Sequence, residues 1–300
     1  MDLNALAECF GSSGCIVTQT TSGLIVGMLL FLVAAGLTLI FGVLKIVNFA
    51  HGTFYMLGAY LALTVFQLTG SYILAVLAGA LGMAAFGAVF ERWLIARVYG
   101  SNVLMQLLIC YAVVLIGDDL VKIVWGADFH AMGMPPEFQV APWFIAGGVV
   151  PPFYVVLISV AALIAVVLGV GLGTTKIGKI IRAAAHNPDM VSALGINTTL
   201  LFALVFAIGG GLAGLAGGLA APVRSLTPGV GFSILIESFI VTVIGGMGSI
   251  AGALIAALVL GLVRGFGTIG FPLFTEGLMY VFMIVILVVR PSGLFGREVV

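Results

Sequence analysis

Charge is what this sequence lacks. Only 7% of its 300 residues are Asp, Glu, Lys or Arg, against about 25% in an average soluble domain. So few charges cannot cover a water-facing surface, which excludes an ordinary soluble protein and leaves a polytopic membrane protein. Neither sign prevails, with 11 basic and 11 acidic residues, so nothing suggests a nucleic-acid partner. Cysteine is scarce too. Cys9, Cys15 and Cys110 form no CxxC pair and no Cys/His cluster, which argues against a metal site. Cys9 and Cys15 would bridge if the N-terminus faces an oxidising compartment; two free thiols are the other reading. No Lys or Arg precedes Lys45, so the positive region of a cleavable signal peptide is missing. Residues 1–22 read as a short polar tail.

What remains is hydrocarbon, at 62% hydrophobic residues and a mean hydropathy of +1.32. Apolar runs cover Leu24–Val43, Asn48–Phe66, Tyr72–Phe90, Val103–Trp125, Phe153–Gly173, Thr199–Ala221, Gly231–Met247, Ile250–Phe266 and Glu276–Val289. A crossing helix needs about 20 residues. The last three runs are short or interrupted by glycine, which suits re-entrant or broken helices. The expected fold is therefore all-α, one membrane domain over residues 1–300 with about eight to nine transmembrane or re-entrant helices. An open sheet edge could not sit in lipid.

With nine crossings and the N-terminus outside, Lys45, Arg92, Arg97, Lys176, Lys179, Arg182, Arg290 and Arg297 fall on the inner side. Lys122, Arg224 and Arg264 fall on the outer side. The positive-inside rule favours that arrangement, which makes 174–197 and the C-terminus cytoplasmic. Glycines recur four apart at Gly210/Gly214/Gly218, Gly248/Gly252 and Gly261/Gly265. That spacing lets helix backbones approach closely, within the subunit or at a subunit interface.

The longest polar interruption of the second half is Thr174–Asn197. Gly173-Thr-Thr-Lys-Ile-Gly-Lys-Ile180 nearly matches a phosphate-binding P-loop, yet Ile180 stands where a magnesium-binding hydroxyl is needed and no strand precedes it. ATP is not expected there. Ile177, Ile180, Ile181 and Ala184 form a helical stripe, with Lys179, Arg182 and His186 on another face. A second short helix follows, with Asn187 as its cap, Pro188 at its first position and Asp189 at its positive end. Met190, Val191 and Leu194 form an apolar ridge, and Gly195 can end the turn. Such a helix suits a groove on a partner or a berth on the membrane surface.

Three further features carry polar groups into the apolar runs. Asn48 reads as an N-cap, leaving the backbone N–H groups of the following residues, His51 included, at a positive helix end. Such an end can meet an anionic substrate group in a transporter or serve as a gate or hinge. Glu237 lies inside an apolar run, where an unpaired carboxylate costs roughly 2.5–3.5 kcal/mol. It is either a translocation-path group or a structural partner for Arg224, Arg264 or a cation at a subunit interface. Asp118 and Lys122, spaced i, i+4, suit a helix-end ion pair beside Asp119.

The run Gly36–Tyr60 (GLTLIFGVLKIVNFAHGTFYMLGAY), the loop Arg182–Gly195 (RAAAHNPDMVSALG), the run Val243–Leu254 (VIGGMGSIAGAL) and the ending Arg290–Gly296 (RPSGLFG) resemble the branched-chain amino acid permease family of bacterial ABC importers. The likeness extends from about Leu24 to Gly296 and fits the H-type member of the usual permease pair. It implies a second, related permease or a second copy, two cytoplasmic ATPases, a periplasmic substrate-binding protein, and an inner-membrane location. It implies no catalytic residue, metal or cofactor in this chain, because ATP is hydrolysed on the partners.

The resemblance also assigns the ATPase-coupling loop, here Arg182, His186, Asn187, Pro188, Asp189, Met190, Leu194 and Gly195. His186 departs from the family pattern, in which an acidic residue is common near this point. The translocation-path candidates are Asn48, His51, Tyr55 and Glu237. The rival expectation is an ion-coupled secondary transporter, for which Glu237 would be the ion-binding acid.

Overall fold

The computed structural model describes residues 3–296, so Arg297 lies outside the described residues. Twelve helices follow in order among these residues: α1 (Leu3–Gly11), α2 (Ser13–Leu44), α3 (His51–Thr69), α4 (Tyr72–Trp93), α5 (Val103–Trp125), α6 (Pro152–Thr174), α7 (Lys176–His186), α8 (Pro188–Ala193), α9 (Thr198–Ala220), α10 (Val230–Gly245), α11 (Ile250–Gly270) and α12 (Thr275–Val289). A small antiparallel hairpin, β1 (Trp143–Ile145) with β2 (Gly148–Val150), decorates the α5–α6 connection. The protein is an all-α polytopic membrane protein. Helices α2, α4, α6, α9, α11 and α12, with the 3-10 turns Ile95–Val98 after α4 and Pro272–Phe274 before α12 included, are long and apolar enough to cross a bilayer. Helices α3, α5 and α10 occupy the other three runs; α10 has only 16 residues, and α5 carries Asp118, Asp119 and Lys122.

The stretch read as a tail is helical. Ser12 caps α2 by accepting from the Cys15 amide, so the 32-residue helix starts at Ser13, eleven residues before the apolar run does. Cys9 and Cys15 are joined by a disulfide, which ties α1 to the first turn of α2.

Helix α2 is the axis of the bundle, with Phe31, Leu32, Ala34, Ala35 and Ile40 fully buried. Glycine sets how closely its neighbours approach. A Cβ on Gly27 would lie 2.6 Å from the Ala257 carbonyl oxygen, and one on Gly261 would lie 2.4 Å from that of Gly23. The antiparallel α2–α11 contact therefore depends on small residues. On the other side of α9, a Cβ on Gly214 would lie 2.3 Å from the Gly79 oxygen of α4, and one on Gly58 of α3 would lie 2.4 Å from the Gly214 Cα. The Gly210/Gly214/Gly218 and Gly261/Gly265 sets thus pack helices within this subunit. Gly248 differs: it sits in the α10–α11 turn with φ +92° and shares no helix face with Gly252.

The second apolar run is a broken element. Helix α2 ends where Lys45 enters the left-handed region and its amide bonds the Phe41 carbonyl. The chain then runs non-helically to Ala50, with Ile46, Asn48 and Ala50 buried alternately with more open neighbours. Helix α3 starts only at His51, whose Nε2 lies 3.0 Å from the Val33 carbonyl oxygen. Eleven residues of α2 separate Val33 from Leu44, about 16 Å at 1.5 Å per residue. Extended chain returns that distance in six residues, so α3 begins deep inside the bundle. Irregular backbone at such depth is tolerated because protein surrounds it.

Candidate functional site

The loop between α6 and α9 is built from two capped helices. The Thr175 hydroxyl accepts from the Gly178 amide at 3.0 Å and opens α7. Asn187 Oδ1 accepts from the Met190 amide at 3.0 Å, and Pro188 takes the first position of α8. Gly195 closes the loop at φ +82°. The Asn187 cap, Pro188 and Gly195 stand where the sequence places them; the Thr175 cap was not expected. The P-loop likeness has no structural counterpart, since Gly178 and Lys179 lie within α7.

Burial then divides the apolar residues. Ile181, Ala184 and Val191 face the bundle and are buried, whereas Met190 and Leu194 are 65% and 76% exposed. Val191 therefore leaves the predicted ridge and anchors α8. Arg182 folds back on α6, donating to the Leu172 carbonyl at 2.5 Å and the Gly173 carbonyl at 3.2 Å. A guanidinium there satisfies the last carbonyls of a helix and its negative end. Asp189 is exposed in the first turn of α8. His186 and Pro188 border an open cleft of about 440 Å³, whose other walls include Lys45, Tyr99, Gln106 and Phe202. No periodicity in the sequence signals those four, which come from separate elements.

Deeper in the bundle, Asn48 does not cap α3. Its Oδ1 accepts from the Ala50 amide at 3.1 Å, and its carbonyl accepts from the His51 amide at 3.2 Å. It closes a tight turn before the helix, so two of the amides expected to be free are already bonded. Asn48 and His51 are fully buried and Tyr55 is 2% exposed. None of the three borders an open path in this conformation. Cys110 is also buried.

Glu237 of α10 is paired. Its Oε1 accepts from Arg264 of α11 at 2.8 Å, and its Oε2 lies 4.0 Å from Arg224 in the α9–α10 connection. The three side chains are between 16% and 24% exposed. Tyr55 and Arg224 line a small niche with Leu29, Leu30, Val33 and Ile234. One acid thus ties together three elements. A carboxylate at such depth is tolerable only with this kind of compensation. At the C-terminal end of α4, buried Glu91 accepts from the Tyr99 hydroxyl at 2.5 Å.

The comparisons with known proteins decide what this assembly belongs to. The family model of the branched-chain amino acid transport system permease component matches residues 19–289. The chain belongs to this family. It is 30% identical over 292 residues to the high-affinity branched-chain amino acid transport system permease protein BraD of Pseudomonas aeruginosa, covering 93% of this chain and 95% of that one. It is 28% identical over 295 residues to LivH of Escherichia coli K12, with the same coverage, and 29% identical to a probable LivH of Methanocaldococcus jannaschii, covering 90% and 89%. No solved structure matches. The family match includes α2 from Gln19 and runs to the last residue of α12, so the α6–α9 loop and the Glu237 cluster both lie inside it.

Proposed function

We propose that this chain is the pore-forming permease subunit of an ATP-driven importer of branched-chain amino acids or a related small solute. The observation that carries the reading is the projecting ridge of α8, where Met190 and Leu194 stand exposed on a short helix capped by Asn187 and anchored by Val191. Exposed apolar side chains on a rigid, polar loop are suited to a groove on a partner, here a cytoplasmic ATPase. Each half-transporter would hold one such ATPase, and a second permease would complete the path. A periplasmic binding protein would deliver substrate to the outer face. ATP binding and hydrolysis on the partners would move α7 and α8, and the bundle would alternate access.

The orientation follows from two supports. Disulfides persist in oxidising compartments, so the Cys9–Cys15 bridge favours an N-terminus outside the cell. Positive charge favours the coupling loop inside. Together they suggest a bacterial inner-membrane protein with a cytoplasmic C-terminus. The rival ion-coupled mechanism loses its main support, because Glu237 is committed to Arg264 and Arg224.

The test is the double substitution Met190→Asp and Leu194→Asp in the full transporter. Uptake and co-purification of the ATPase should fall at least tenfold while the permease keeps its thermal stability. Normal uptake by that variant would refute the coupling assignment.

A further inference from the structure

Several helices present broad faces to the surroundings, and one of them is chemically different. The exposed faces of α6 (Leu163, Val166, Val167, Val170) and of α12 (Val281, Ile284, Val285, Val288) are hydrocarbon. Helix α5 buries the stripe Cys110, Val114, Gly117 and Val121, and its Gln106 and Trp125 bond Val98 and Thr64. The face opposite that stripe is open and carries Asp119, with Asp118 and Lys122 beside it.

The depth of these charges follows from packing. A Cβ on Gly117 would lie 2.3 Å from Thr53 Cγ2, two residues beyond the start of α3. The adjacent residue Phe54 meets Gly210, and Gly210 meets the Met83 oxygen. Gly210 and Met83 are each close to the middle of their membrane-crossing helices, α9 and α4. Asp118 and Asp119 therefore sit within about one turn of mid-membrane, and Lys122 one turn further out. Lys122 lies in the last turn of α5, whereas Asp118 and Asp119 stand about one turn deeper. Asp118 is partly buried, and its Oδ1 has no hydrogen-bond partner among the described residues. The other two pair with each other at 2.9 Å, i to i+3, with side chains 70% and 49% exposed. At about 100° per residue, Asp119 points almost directly away from the buried stripe.

Lipid cannot be what covers this face. A charged side chain at the centre of a bilayer is disfavoured by roughly 100-fold on insertion scales, and such residues face partners or water-filled cavities. We propose that the outward face of α5 is the wall of the translocation path, opposed across water by a second permease subunit. On that wall the Asp119–Lys122 pair forms a polar rung. A carboxylate and an ammonium side by side match the head group of a zwitterionic amino acid, each charge meeting its opposite. The apolar neighbours Leu108, Leu115 and Ile123 suit its aliphatic side chain. This rests on the permease reading above and adds to it the surface and residues that meet the solute.

The experiment uses the assembled transporter in proteoliposomes, with single cysteines placed at Leu115→Cys, Asp119→Cys and, as the lipid-facing control, Leu163→Cys. The native thiols do not interfere, since Cys9 and Cys15 are bridged and Cys110 is buried. A charged, membrane-impermeant methanethiosulfonate should modify the α5 cysteines at least tenfold faster than the control, and the adduct should block uptake. Uptake by Asp119→Leu should fall at least tenfold, and the exchanged pair Asp119→Lys with Lys122→Asp should recover part of it. Equal labelling rates at Asp119→Cys and Leu163→Cys would overturn the proposal, as would fast labelling that leaves uptake intact. ATPase retention and ATP-dependent uptake are read in the same preparation, so failure of the importer reading registers separately.

Discussion

Breaking the Glu237–Arg264 pair is the sharpest test of how this bundle holds its charges. At 2.8 Å and an effective dielectric constant of about 20, the Coulomb attraction is about 6 kcal/mol; the 4.0 Å approach of Arg224 adds about 4 kcal/mol. Desolvation of three partly buried groups takes back most of that gain, so the net worth of the cluster is small, while removal of one partner is costly. Glu237→Gln leaves two guanidinium groups without their counter-charge and should destabilise the permease by about 3 kcal/mol. Arg264→Gln should cost about 2 kcal/mol, because Arg224 still compensates the acid. The double variant should cost less than the two losses added together, with a coupling of about 2 kcal/mol. Reversible unfolding in mixed micelles, followed by tryptophan fluorescence for all four corners of the cycle, measures this. Additivity within about 0.5 kcal/mol would show that the pair does not hold α10 to α11.

Two further outcomes follow from the packing and the topology. Gly217→Ala puts a Cβ about 2.2 Å from the Tyr55 carbonyl oxygen, so it should force α3 and α9 apart and cost about 3 kcal/mol. Gly169→Ala on α6, with nothing within 4 Å, should be neutral or slightly stabilising in the same unfolding assay. For orientation, an impermeant maleimide added to intact cells should label Cys9 and Cys15 only after treatment with an impermeant reductant. Failure to label after reduction would refute an external N-terminus.

Much of the α6–α9 loop was legible because its information is local. Asn187, Pro188 and Gly195 act on backbone groups within three residues of themselves, so their order in the chain suffices to write the capped second helix, although the Thr175 cap of the first was missed. Asn48 misled for the same reason: a side chain three residues before a helix can cap it or close the preceding turn, and only the path back from Lys45 decides which. Val191 and Leu194 look alike in an apolar ridge, yet one is buried and the other projects. Glu237 had two candidate partners in sequence, and the helices bring both, unequally close.

Sequence alone determined the class of this protein. Scarce charge, apolar runs of spanning length and four ordered motifs leave little but a multi-pass permease, since composition fixes which solvent the surface can face. The tertiary structure decided what each polar residue in those runs is for. A charge at a given position in a helix is indifferent until its depth and its neighbours are known. Packing alone sets Glu237 against Arg264, seals Asn48 and His51 in the core, and turns Asp119 outward at mid-membrane, where lipid would not tolerate it.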